Sequence, residues 1–184
     1  NETEQRELLK NFFDENATQY RKDDILHKLM KLQNSDGSFS WWPGMRGSRY
    51  VTNAVYMTLV RLKKMTGAYY YELNLTANQC RDYLSSELKK EAAEMKKIEK
   101  EGFEVLPSET ALETIYSLSL VKENHKHDVK PTIEYMVGKL SKVPTIYTIY
   151  GKANAAVIFA LNGQKTKAKE FLQSINEHSV YKPE

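Results

Sequence analysis

Apolar residues recur at three- and four-residue spacing along almost the whole chain, and that period admits few folds. Leu8, Leu9, Phe12 and Phe13 mark a short first helix. Ile25, Leu26, Leu29, Met30 and Leu32 form one stripe of a second, with Asp23 or Asp24 placed to cap it. Val51, Ala54, Val55, Thr58, Leu59, Leu62 and Met65 make the cleanest amphipathic helix, which Gly67 is placed to end. A long helix follows, from about Thr76 to Glu101, closed by Gly102. Its apolar positions Cys80, Tyr83, Leu84, Leu88, Ala92, Met95 and Ile98 are sparse. Its second half, "ELKKEAAEMKKIEKE", carries Glu and Lys at i,i+3 and i,i+4 spacing, which predicts an exposed helix whose end projects from the body.

Four further helices are expected. Pro107 and Ser108 open "PSETALETIYSLSL", and Ser108 with Glu109 to Glu113 gives a capped, acidic first turn. Pro131 opens "PTIEYMVGKL". After Pro144, Ala153, Ala156, Val157, Ala160 and Leu161 face one way until Gly163 stops the helix. In the last, Ala168, Phe171, Leu172 and Ile175 form the buried face. Strand alternation nowhere survives more than a few residues, and short loops favour antiparallel neighbours. The expected class is all-α, with about eight helices stacked in consecutive pairs.

A chain of 184 residues suits one domain, 1–184, with a sizeable core. A net charge of +3, from 27 Lys+Arg against 24 Asp+Glu, argues for neither nucleic acid nor a membrane surface as partner. No apolar run reaches transmembrane length, so this segment is not expected to insert into a membrane. The one cysteine, Cys80, permits no intrachain disulfide and reads as a buried, inert thiol on its helix stripe.

Reactive chemistry is sparse. "HKHD" supplies His125, His127 and Asp128 in a hydrophilic connector, without the further ligands that complete a zinc set. His27 and His178 read as ordinary helix residues. No Gly-x-Ser-x-Gly elbow, Walker loop or dinucleotide fingerprint is present. Asp23 and Asp24 form a pair with no second acidic motif to hold magnesium on a diphosphate. Asn16-Ala17-Thr18 and Asn74-Leu75-Thr76 match glycosylation sequons, a pattern that chance often produces. No catalytic residue, metal site or cofactor is expected.

The exception is "LQNSDGSFSWWPGMRGSRY", residues 32 to 50, which holds both tryptophans and three of the 8 glycines. After Gln33, Asp36 can bond the turn backbone and Gly37 can take positive φ. Pro43 and Gly44 turn the chain again, and Ser48 can begin the next helix. Phe39, Trp41 and Trp42 have large apolar faces, which predicts a lid over the helix ends with these rings as plugs.

Gln33, Asp36, Gly37 and Phe39 match the Gln-x2-Asp-Gly-x-Phe/Trp turn of α/α-toroid proteins, which include terpene cyclases, protein prenyltransferases and complement-type thioester domains. The longer segment "LMKLQNSDGSFSWWPGMRGSRYVTNAVYMTLVRL" is similar to the thioester-type domain of bacterial alpha-2-macroglobulins, where LQ-x2-DGGFSW-x-PG precedes a YVT helix. Ser38 stands where that family usually has a second glycine. Residues 149 to 180, "IYGKANAAVIFALNGQKTKAKEFLQSINEHSV", resemble the same family's last helical hairpin, most closely its Bacteroidetes members.

The resemblance implies a partial α/α toroid, the C-terminal part of such a domain from a larger chain. It also implies a role in a periplasmic or cell-surface peptidase inhibitor, whose partners are target peptidases and other domains of the same chain. The family's thioester motif, Cys-x-x-Gln or Cys-x-Glu-Gln, is missing: Cys80 is followed by Arg81, Asp82 and Tyr83, and position 2 before Glu4-Gln5 is Glu. In the family that motif lies N-terminal to the aromatic turn, so the resemblance leaves two alternatives, a motif upstream of Asn1 or a bacterial member that lost it. The expected role is therefore non-enzymatic. Two other readings share the turn: an α/α-toroid enzyme acting on isoprenoids or sugars, and a protein-binding module that uses the aromatic loop. Exposed Trp41 and Trp42 would favour the binding module.

Overall fold

The computed structural model describes residues 3–7, 15–66, 71–121, 128–140 and 144–178. Beyond a helical stretch at 3–7, the helices are α1 (Glu15–Lys31), α2 (Arg49–Thr66), α3 (Tyr71–Lys100), α4 (Glu109–Ser119), α5 (Lys130–Gly138), α6 (Ile149–Leu161) and α7 (Lys165–His178). A single 3-10 turn, Pro144–Ile146, precedes α6. Among the described residues the chain is all-α, and the only extended pairing is one isolated bridge between Gln33 and Phe39. Leu8, Leu9, Phe12, Phe13, Gly67, His125 and His127 lie outside the described residues.

Two layers emerge from the packing. Helices α2, α4 and α6 lie side by side, α4 in the middle. Asn53 near the start of α2 bonds Thr114 and Ser117 of α4, and Thr148 ahead of α6 bonds Glu109 at the start of α4, so the three N-termini share one end. Across from them α3 runs antiparallel to α2: Lys63 meets Asn74 at one end and Arg49 meets Glu91 at the other. Helix α5 follows α3 in the same direction, with Asp128 on Lys89 and Lys139 on Glu99. Helix α7 folds back on α6 through Asn162 and Gly163, whose φ is 75°.

Burial follows the layers. Cys80, Leu84, Leu88, Ala92 and Met95 fall on one face of α3 and join a single apolar cluster that reaches from Phe39 to Phe171. Burying one such leucine stabilises by roughly 1.5–3 kcal/mol. Helix α4, covered by α2, α3 and α6, has no large apolar side chain exposed, whereas α2 exposes Tyr50, Leu62 and Met65. Helix α4 begins as its sequence predicts, with the Ser108 hydroxyl accepting from Ala111 N–H.

Several expectations are corrected. Asp23 and Asp24 lie inside α1 and cap nothing, because the helix begins at Glu15; Asp24 pairs with Lys28 one turn on. Ile25 and Leu32 of the expected α1 stripe are exposed, and Leu29 packs against the core. The end of α3 does not project: Glu99 receives Lys139 and the Tyr135 hydroxyl from α5, and Met95 is buried. These two donors hold the Glu99 carboxyl below its ordinary range. On α6 the expected face is the open one. Val157 and Leu161 are exposed, while Ala155, Ile158 and Phe159 turn to the core, because α4 and α7 both pack on that side. On α7 the buried residues are Ala168, Phe171 and Ser174, and Leu172 is exposed.

Candidate functional site

The aromatic turn is fastened to α3 by its polar residues. Gln33 Nε2 donates to Gly37 O at 3.0 Å and to Thr76 O at 3.2 Å, and approaches Cys80 Sγ at 3.7 Å. Asp36 Oδ1 accepts from the Ser38 backbone at 3.0 Å and from the Ser38 hydroxyl at 2.6 Å. The hydroxyl bond is the main reason the Asp36 carboxyl titrates below its ordinary value. Asn34 Nδ2 donates to Ser38 Oγ at 3.0 Å.

Both Gly37 and Gly47 are required by close approach. Gly37 has φ 85°, and a Cβ there would stand 2.4 Å from Gln79 O. A Cβ on Gly47 would stand 2.0 Å from Ser38 Oγ. Ser38, placed where the resembling family has glycine, is fully buried in the space that Gly47 leaves.

The three aromatic side chains separate. Phe39 is 2% exposed and joins the core; its backbone N–H donates to Thr52 Oγ1 at 2.9 Å. Trp41 and Trp42 do not seal the joint: they are 60% and 64% exposed. Pro43 and Gly44 are exposed too, and Gly44 turns with φ 79°. The reason is local. Phe39 sits at the anchor itself, where Ser48 N–H donates to Phe39 O, and residues 41 to 46 beyond it are exposed. Trp41 stacks on Tyr50 at the start of α2, with ring centroids 5.9 Å apart and planes 16° from parallel. Met45, Ile149 and Tyr150 are also exposed.

Beneath this end of the α2–α4–α6 layer is a polar cluster that sequence reasoning missed. Arg49 pairs with Glu91 and donates from Nε to Thr114 Oγ1 at 2.9 Å. Glu91 also accepts from Ser108 N–H at 2.9 Å, at the N-terminus of α4. Glu109 plays the same part for α6, accepting from the Thr148 N–H and hydroxyl, each at 2.6 Å. Gly151 permits this: a Cβ there would stand 2.6 Å from Glu109 Oε1. Carboxylates therefore already satisfy the positive ends of α4 and α6. Glu113 is 3% exposed and accepts from the Tyr150 hydroxyl at 2.8 Å; burial pushes its carboxyl above the ordinary range. The signal in the sequence was one apolar helix, α4, with Glu113, Thr114 and Ser117 in positions its neighbours bury. The reading of Glu109 to Glu113 as one acidic first turn did not set the buried Glu113 apart.

The remaining candidates are dispersed. Cys80 is buried and its thiol is pushed up to about 12 by desolvation, which leaves no thiolate for nucleophilic work. Asp128 binds Lys89, and His178 Nδ1 lies 2.7 Å from Ser174 O. His27 is exposed on α1. Asn74 accepts from Lys63, and its sequon partner Thr76 is buried within α3. Among the described residues no three His, Cys, Asp or Glu side chains gather as a metal set, and no helix is long and apolar enough to cross a membrane. Comparison with family models, with curated proteins and with solved structures finds no match to this chain.

Proposed function

We propose that the chain is a non-enzymatic helical domain of a bacterial alpha-2-macroglobulin-like peptidase inhibitor at the cell envelope, and that its aromatic loop docks against another domain of that inhibitor. In this reading the two helical layers form a partial α/α ring.

The observation that carries the docking role is the exposure of Trp41 and Trp42 on a loop whose backbone is pinned at both ends. Large rings held out from a fastened backbone lose little further freedom on binding, which suits an interaction surface. Family membership rests on the two resembling segments. The first folds as a turn joining α1 to α2, and the second as the α6–α7 hairpin. An enzyme of the toroid type gains no support from a particular observation, since the carboxylates of the polar cluster are engaged by Arg49, Thr148 and Tyr150.

The test uses the full-length inhibitor with a broad-specificity peptidase. Cleavage of a large protein substrate should fall while cleavage of a small peptide substrate persists. Replacing Trp41 and Trp42 by Ala should weaken this protection without unfolding the domain. Undiminished digestion of the large substrate by the unmodified inhibitor would refute the trapping role. Full protection by the double variant would refute the docking role of the loop.

A further inference from the structure

The outer side of the α2–α4–α6 layer is open. On α4 the core takes Leu112, Ile115 and Leu118, which leaves Glu113 and Tyr116 on the opposite side of the helix. Two contacts cross that side. Arg61 Nη2 of α2 donates to the Tyr116 hydroxyl at 3.2 Å, and the Tyr150 hydroxyl of α6 donates to Glu113 Oε1 at 2.8 Å. Arg61 and Tyr150 each belong to an exposed stripe. On α2, Tyr50, Ala54, Arg61 and Met65 are exposed at helical spacing, and on α6 so are Tyr150, Val157 and Leu161. Trp41 extends the α2 stripe at its N-terminal end by stacking on Tyr50.

The free charge on this face has one sign. Helices α2 and α6 contain no Asp or Glu. The two acids of α4 are engaged within the layer: Glu109 accepts from Thr148, and Glu113 is buried beneath Tyr150. Of the cations, Arg49 is paired with Glu91, and Lys63 meets Asn74. Arg46, Arg61 and Lys64 are exposed, and among the described residues no carboxylate pairs with them. On α3, in the layer behind, Glu and Lys neutralise one another, as in Glu87–Lys90 and Glu94–Lys97.

We propose that the aromatic loop and the outer face of α2–α4–α6 bind an acidic polypeptide segment that carries aromatic or aliphatic side chains. Its carboxylates meet Arg46, Arg61 and Lys64, and its apolar groups cover the two stripes. Charge complementarity sets the sign of the partner, and exposed rings beside arginine are the composition of an interface. Three separated cations are too few to neutralise a phosphate backbone. The inference rests on the docking role proposed above, in which the segment belongs to another domain of the same inhibitor, and it extends that surface from the loop to α6.

The test titrates the 184-residue chain with poly(Glu,Tyr), a random copolymer free of tryptophan, and follows the emission of Trp41 and Trp42, the chain's two tryptophans. Saturable binding is expected at about 0.05 M salt, weakened at about 0.5 M. Poly-glutamate, which lacks apolar groups, should bind at least about tenfold more weakly, and poly(Lys,Tyr) should not bind. Replacing Arg61 and Lys64 together by Gln should raise the apparent Kd about fivefold, as should replacing Val157 and Leu161 together by Ser. Lys165 and Lys169, exposed on α7, should tolerate replacement by Gln without change in Kd. Absence of poly(Glu,Tyr) binding overturns the proposal, as does equal binding of poly(Lys,Tyr), an equal loss in the α7 variant, or unmodified binding by the Val157/Leu161 variant. Circular dichroism checks each fold, and Arg46→Gln takes the place of the Arg61/Lys64 variant should that one fail to fold. The copolymer stands in for the inhibitor's other domains, so failure here refutes the partner's chemistry, whereas the peptidase-protection assay judges the docking role by itself.

Discussion

Gly37 rests directly on the backbone of Gln79: the position a Cβ would take is 2.4 Å from the Gln79 carbonyl oxygen. This contact, with the Gln33 bonds to Thr76 O and Gly37 O, seats the aromatic turn on α3. Gly37→Ala meets two costs, a left-handed backbone at φ 85° and a clash with main chain that cannot rotate away. It should lower the unfolding free energy by at least about 2 kcal/mol in denaturant titrations. Gly44→Ala, also left-handed but in open space, should cost only about 1 kcal/mol.

Phe39 and Trp42 lie three residues apart with opposite fates, and their stabilities should diverge. Phe39→Ala empties a core position and should cost about 3–5 kcal/mol. Trp42→Ala removes an exposed ring and should change stability by less than about 0.5 kcal/mol. Acrylamide should quench the native tryptophan fluorescence nearly as well as that of the unfolded chain. Equal losses for the two variants would contradict the assigned geometry.

Cys80 is fully buried and its thiol titrates near 12, so it should resist a thiol reagent such as dithionitrobenzoate in the native protein at mildly alkaline pH. Full labelling should follow in guanidinium chloride. Native-state labelling should track opening of the α1–α3 joint, where Gln33 meets the sulfur. Gly37→Ala should therefore speed it.

Asp36 and Glu113 should contribute to pH dependence with opposite signs. Asp36 titrates lower when folded, so its stabilisation is complete above the ordinary value of 3.8 and is lost as pH falls through the folded value. Asp36→Ala should cost about 1–2 kcal/mol at neutral pH, through the two lost Ser38 bonds, and less in acid. Glu113 titrates higher when folded, so its contribution is full below 4.5 and is lost as pH rises through the folded value. Glu113→Gln should raise the melting temperature at neutral pH relative to the unmodified chain, and the difference should shrink toward pH 4.5. Thermal unfolding across this range measures both.

Much of the fold was legible in the spacing of particular residues. Cys80, Leu84, Leu88, Ala92 and Met95 mark a face that is buried as the period requires, and Ser108 caps α4. The misreadings share a cause. Val157 and Leu161 are as apolar as Ile158 and Phe159, so periodicity alone could not say which side α4 and α7 would cover. Trp41 and Trp42 have the same appetite for burial as Phe39, but their loop leaves the core after its anchor at Phe39.

The all-α class, the turns at Gly37 and Gly163 and the start of α4 follow from residue chemistry within a few positions along the chain, because helix period, capping and positive φ are local properties. The Arg49–Glu91 pair, the carboxylates at the starts of α4 and α6, and the burial of Glu113 under Tyr150 join residues 17 to 42 positions apart. Such contacts exist only once α2, α4 and α6 lie side by side with their N-termini together and α3 lies across from them, and that arrangement is written in no single stretch of sequence.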